Sequence, residues 1–208
     1  MIKDSYQTIA NSAQAELKVK GSRFLGFAAP AADKIAAESY VDGLRKQFYD
    51  ATHHCYAYRC GYQSQEYSRF SDDGEPSGTA GKPILHAIQG HDLTNLVVVV
   101  VRYFGGVKLG TGGLARAYAD AAALVLEQTP PITQYQCHPL NLEVGYEQLS
   151  AVLKLLQRHH AVIVSSDYAD CVRLQTSVRA GEIDALQREL IDATHGHIGI
   201  ALGKEGEA

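Results

Sequence analysis

Leu96-Val97-Val98-Val99-Val100-Val101 runs straight into Arg102-Tyr103-Phe104-Gly105-Gly106-Val107-Lys108-Leu109-Gly110-Thr111-Gly112-Gly113. A β-branched run that is apolar at every position reads as a strand covered on both faces, which belongs in the middle of a sheet. Five glycines between 105 and 113 then break regular structure. Behind them Leu114, Tyr118, Ala121 and Val125 recur at helical spacing and predict a helix over residues 114–128. Free N–H groups at a helix start, together with its dipole, attract anions. Arg102, Lys108 and Arg116 are placed to add counter-charge.

Upstream, residues 15–29 read as a hairpin turning at Lys20-Gly21-Ser22. Residues 34–48 read as an amphipathic helix through Ile35, Val41, Leu44 and Phe48. Residues 53–62 alternate, with Tyr56, Tyr58 and Tyr62 on one face and Cys55 and Ala57 on the other. The stretch from Arg69 to Pro83 holds three acids, two prolines and three glycines. So many backbone breakers predict a long shaped loop leading into a helix near Pro83–Gln89.

Downstream, Thr129-Pro130-Pro131-Ile132-Thr133 stops the helix and favours an extended connection, the expected boundary between domains at 1–130 and 138–208. The second part alternates as strand 138–145, helix 147–160, strands 161–166 and 171–178, helix 182–193 and strand 197–202. That βαββαβ order is the ferredoxin-like arrangement. The fold class expected for the chain is α+β.

Composition excludes several function classes. Hydrophobic residues make up 46% of the 208, which excludes a disordered chain. Residues 1–137 hold 13 basic and 13 acidic residues, whereas residues 138–208 hold 6 and 10. Any contact with RNA must therefore be local. Residues 1–10 lack the apolar run of a signal peptide. The apolar stretches 96–101 and 121–126 fall far short of the ~20 residues a membrane helix needs, so no membrane contact is expected. Cysteines 55, 60, 137 and 171 form no CxxC pair and read as reduced thiols, which makes the cytoplasm the expected compartment.

Sharper motifs fail on spacing. A P-loop needs glycine at position 76 and Ser or Thr at 83, where the chain has Pro76 and Pro83. Gly110-Thr-Gly-Gly-Leu-Ala115 satisfies G-x-G-x-x-A, but it lies eight residues beyond the buried strand and its helix runs into prolines. His53 and His54 would point to opposite faces of a strand, which does not suit zinc. Asp72, Asp73 and Glu75 read as solvated turn acids more readily than as Mg²⁺ ligands. Five tyrosines between Tyr49 and Tyr67 are base-stacking candidates and equally good strand residues. No cofactor, metal set or catalytic residue is assigned.

Ser22-Arg-Phe, His53-His54, Tyr58-Arg59, the run from Ser71 to Gly81 and the run from Arg102 to Leu114 together resemble the IMPACT family, in its bacterial YigZ-like branch. The resemblance covers residues 1 to about 130 strongly, and the tail is similar to the extra domain of bacterial members. It implies an N-terminal domain like the second domain of ribosomal protein S5 and a link to translation. Eukaryotic relatives bind a ribosome-associated activator of a starvation-responsive kinase; the partner-binding domain they carry for it is not expected here.

The expected function is regulatory binding of RNA or a ribosome-associated protein. The candidate surface comprises Asp72, Asp73, Gly74, Glu75, Pro76, Gly78, Thr79, Gly81 and Lys82 with Arg102, Tyr103, Gly105, Gly106, Lys108, Gly110, Gly112, Gly113 and Arg116, and His53 or His54 at its edge. An enzyme acting on a phosphate-bearing small molecule, with Asp73 or Glu75 as base, is the alternative. A purely protein-binding adaptor is the third reading.

Overall fold

The computed structural model describes residues 4–203. Residues 1–3 and 204–208, at the ends of the two expected domains, lie outside the described residues, and so does part of the segment read for a signal peptide. In chain order the elements are β1 (Ser5–Ile9), β2 (Ala13–Val19), β3 (Ser22–Pro30), α1 (Lys34–Gln47), β4 (His53–Cys60), β5 (Tyr67–Ser71), α2 (Gly81–Gly90), β6 (Leu96–Tyr103) and α3 (Gly110–Glu127). Then follow β7 (Pro131–Tyr135), β8 (Cys137–Val144), α4 (Leu149–Arg158), β9 (Val162–Tyr168), β10 (Val172–Arg179), α5 (Ile183–Ala193) and β11 (Ile198–Leu202). Packing divides the chain into two compact units, residues 6–134 and residues 4–5 with 135–203.

The first unit is a five-stranded sheet of order β2-β3-β6-β4-β5, antiparallel throughout. β6 is its centre. Leu96, Val98 and Val100 pack with Ile84 and Ile88 of α2 and Ala117 and Ala121 of α3. Val97, Val99 and Val101 pack with Ala37, Val41 and Leu44 of α1. An antiparallel sheet usually leaves one face wet; here helices cover both, which is why β6 carries no polar alternation. The β2–β3 hairpin turns on Lys20 and Gly21, both at positive φ (46° and 79°), the two-residue turn whose twist matches its strands.

Several local expectations fail for identifiable reasons. Ile35 is 79% exposed, because the buried stripe of α1 runs through Ala37, Val41 and Leu44. Asp33 caps that helix, its Oδ1 accepting from Ala36 N at 2.8 Å. Tyr62 lies beyond β4, past the Gly61 bend at φ 82°, and its ring meets Tyr6. Residues 69–71 belong to an edge strand, β5, paired with β4. The segment after α3 is extended, as two prolines impose, and is also a strand: β7 pairs with β1, with Tyr6 Oη donating to Gln134 at 3.0 Å.

The second unit is a βαββαβ sheet of order β11-β8-β10-β9, antiparallel throughout. Leu140, Leu142, Val144, Val172 and Leu174 face Val152, Leu156, Leu186 and Leu190 of the helices. On α4 Leu153 is 37% exposed, and Leu155 takes the inward place. With helices on the faces of antiparallel sheets, the chain is an α+β protein.

Candidate functional site

Between β5 and α2 the chain is shaped by one carboxylate. Asp72 Oδ1 accepts from Ala80 N (3.0 Å) and Gly81 N (2.8 Å), and Oδ2 accepts from Gly78 N (2.7 Å). A negative group thus sits on the amides opening α2, satisfying donors that a helix start otherwise leaves free. Thr79 closes a tighter turn by donating to Pro76 O at 2.6 Å. Gly81 is required by close approach, since a Cβ there would lie 2.7 Å from Ser71 O.

Asp73 ties this loop to its surroundings. Its Oδ1 takes Arg45 Nη2 at 3.0 Å and its Oδ2 takes the His54 backbone N–H at 2.7 Å. His53 Nδ1 lies 2.8 Å from Asp73 O. A carbonyl only accepts, so Nδ1 carries the proton there. The His54 ring keeps Nδ1 3.9 Å from Asp73 Oδ2, and its Nε2 donates to Phe48 O at 3.1 Å; burial lowers its pKa. Cys55 is fully buried, its Sγ–H donates to Asp72 O, and burial pushes its thiol up. Cys55 and His54 therefore face different partners.

Glu75 has another role. Its Oε1 accepts from Arg102 Nη1 at 2.6 Å and from the Tyr118 hydroxyl at 2.7 Å. Glu75 is 9% exposed, Arg102 5% and Tyr118 fully buried. His53 Nε2 stands 3.8 Å from the same oxygen. Arg102 sits opposite His53 in the β4–β6 ladder, which brings both side chains to one end of the sheet. Its guanidinium carbon lies 5.4 Å from the Phe24 ring centre and 5.5 Å from that of Phe104. Among the described residues, Arg102 Nε is buried without an acceptor. Burial raises the Tyr118 phenol, which keeps it a donor to Glu75.

The glycine-rich run divides by role. Gly105 packs against the β2–β3 turn, where a Cβ would lie 1.9 Å from the Gly21 carbonyl carbon, and its N–H donates to Ser22 Oγ at 3.1 Å. The helix begins at Gly110, four residues earlier than its apolar spacing predicts, so Gly112 and Gly113 belong to its first turn. Leu109 occupies the N-cap position, and among the described residues no side chain caps the helix. The two helix starts in this region therefore differ: α2 is closed by Asp72 and α3 is left without a side-chain acceptor.

The two stretches meet at a cavity of about 490 Å³. Glu75 and Arg102 line its buried side, His53 and Pro76 contribute from the first stretch, and Lys108 and Gly110 from the second. Phe104, 48% exposed, and Thr111 also line it and were not singled out from the sequence. The other expected residues lie elsewhere. Asp72, Asp73, Gly74, Gly78, Thr79 and Gly81 build the first loop, while Lys82 and Arg116 are exposed on α2 and α3. Tyr103 donates to Asp50 at 2.8 Å, and Gly105 and Gly106 lie in the turn before α3. Asp72, Asp73 and Glu75 engage separate partners, and among the described residues no three His, Cys, Asp or Glu side chains converge as a metal set would.

The fold and this geometry define an α+β protein of two units, the first carrying a cavity with a buried Glu–Arg pair beside an uncapped helix. Residues 20–126 match the Impact N-terminal domain and residues 142–197 match a domain of unknown function, DUF1949. The chain belongs to the IMPACT family. It is 37% identical over 188 residues to the IMPACT family member YigZ of Escherichia coli, covering 87% of this chain and 89% of that protein. Protein IMPACT-B of Xenopus tropicalis is 42% identical over 67 residues, which is 31% of this chain and 20% of that one. A solved structure described as the crystal structure of an hypothetical protein superposes with a TM-score of 0.72 at 33% identity, covering 98% of this chain and all of the other. No helix among the described residues is long and apolar enough to cross a membrane.

Proposed function

We propose that this chain is a translation-associated regulatory binding protein of the cytoplasm that contacts RNA through the cavity between its two glycine-rich stretches. One observation carries the reading: the α3 N-terminus, without a capping side chain, opens beside Lys108 and the half-exposed Phe104 at a single concave surface. Backbone amides and a lysine suit phosphate, and an exposed aromatic ring suits an unstacked base. The net charge of −4 makes such contact local and dependent on salt.

The architecture supports the same reading. In this proposal residues 6–134 are a domain of the ribosomal protein S5 domain 2 type, and the βαββαβ unit, with its order β11-β8-β10-β9, is of the ferredoxin-like type. Because folds host many functions, the site rather than the fold carries the proposal. Crosslinking in cells, followed by identification of what is joined to the chain, tests it. Crosslinks to RNA mapping near Phe104–Thr111 are expected; crosslinks to protein alone would favour an adaptor.

The enzyme reading rests on the buried Glu75 carboxylate in the cavity wall. Arg102 and Tyr118 both hold its Oε1, so that oxygen is already engaged within the protein.

A further inference from the structure

Resting on the RNA-binding reading, we propose that Arg102 touches no RNA and is a positioning residue. It holds the Phe104 ring as the platform on which one unstacked base lies. By charge alone Arg102 would serve as a phosphate contact, and its surroundings argue otherwise. Arg102 is 5% exposed, and its Nη1 donates at 2.6 Å to Oε1 of Glu75, itself buried. The pair is neutral as a unit, and a neutral unit displaces no counterion from RNA.

The same guanidinium is presented to two aromatic rings. Its carbon stands over the Phe24 ring, 5.4 Å from the centre, and over the Phe104 ring at 5.5 Å. Both distances fall inside the ~6 Å at which a cation is drawn to a ring face. Phe24 is fully buried and meets Tyr118 edge-on, with centres 5.2 Å apart. Tyr118 in turn donates to Glu75 Oε1 at 2.7 Å, the oxygen that also takes Arg102. These four side chains form one buried set of contacts around the guanidinium. Phe104, 48% exposed, carries that set out to the cavity.

The backbone beneath the ring is fixed as well. The Phe104 N–H donates to Thr52 Oγ1 at 3.2 Å, and the Gly105 N–H donates to Ser22 Oγ at 3.1 Å. With its backbone anchored and a cation against its ring, Phe104 needs little ordering when a ligand arrives. Preorganisation of that kind raises affinity. The occupant follows from what shares the cavity. Lys108 lines it together with Phe104. A flat apolar face beside a cation fits a nucleotide of single-stranded RNA, base on the ring and phosphate towards the lysine.

The chain contains no tryptophan, so Phe104→Trp places a single indole on the platform. Its emission should be quenched when the full chain is saturated with a short single-stranded RNA, because the indole stacks on a base. Phe104→Leu keeps an apolar side chain without a ring face. It should weaken binding about tenfold and leave the salt slope unchanged, since no phosphate contact is lost. Arg102→Met with Glu75→Gln removes the buried pair without leaving a lone charge. It should weaken binding, keep the salt slope, and reduce the quenching at saturation in the Phe104→Trp background. Arg102→Lys keeps a charge against Glu75, and with it the fold, but has no flat guanidinium for the ring. It should reduce the quenching at saturation in the same way. Quenching at saturation that survives in the Arg102 variants that fold, or a slope that falls by about 0.7 in the pair variant, would overturn the positioning role. Binding by Phe104→Trp without quenching would overturn the platform and leave the RNA reading standing. No binding of RNA by the unaltered chain would reject that reading and the inference together.

Discussion

Arg102 Nη1 donates to Glu75 Oε1 at 2.6 Å across 27 positions of sequence, and the pair joins the first loop to the last residues of the central strand. Breaking a buried pair on one side leaves a charge without compensation. Arg102→Ala should therefore cost about 3–5 kcal/mol in urea denaturation. Arg102→Ala with Glu75→Gln should recover part of that loss, because the double variant leaves no lone buried charge. A single-variant cost below about 1 kcal/mol would mean the pair is solvated.

Gly105→Ala and Gly112→Ala should separate sharply. The Cβ at 105 would lie 1.9 Å from the backbone of Gly21, so that substitution must displace the β2–β3 turn and destabilise the fold. Alanine at 112 enters open space within a helix and should stabilise by up to about 1 kcal/mol. Thermal melts of the two variants check this; equal shifts would contradict the assigned roles.

Much of this arrangement was legible beforehand. An uninterrupted β-branched run placed β6, because helices cover both of its faces, and apolar spacing placed the helices of the second unit. The start of α3 was not legible. Glycines read as breakers, yet Gly110, Gly112 and Gly113 lie in the first turn of α3, whose amides have no intrahelical partner. β5 was lost to a loop because its pairing with β4 is set by contacts distant in sequence. The cavity's composition was half visible. Glu75, Arg102, Lys108 and Gly110 stood in the two unusual stretches, whereas Tyr118, behind the cavity wall, looked like an ordinary inward helix residue and nothing local tied it to Glu75.

Thiol reactivity should follow burial. Cys137 is exposed and Cys171 half-buried, so these two should react with a thiol reagent in the native state, Cys137 first. Cys55 and Cys60 should react only after unfolding. Burial pushes the Cys60 thiol up to about 11 from its ordinary 9.0. An unfolded chain thus loses that proton before the folded one does. The contribution to stability is complete below about pH 9 and declines as pH rises towards 11. Denaturation midpoints at pH 8 and pH 10 should fall in that order; a rise would contradict it.

The central claim is that phosphate contact at the start of α3 drives RNA binding, and the salt dependence of that binding tests it most directly. Affinity for a single-stranded RNA should fall linearly on a logarithmic plot against salt. Replacing Lys108 by alanine should lower the slope by about 0.7, the loss of one contact, whereas Arg116→Ala, outside the cavity, should change it less. A slope unchanged by Lys108→Ala, or binding indifferent to salt, would contradict the account.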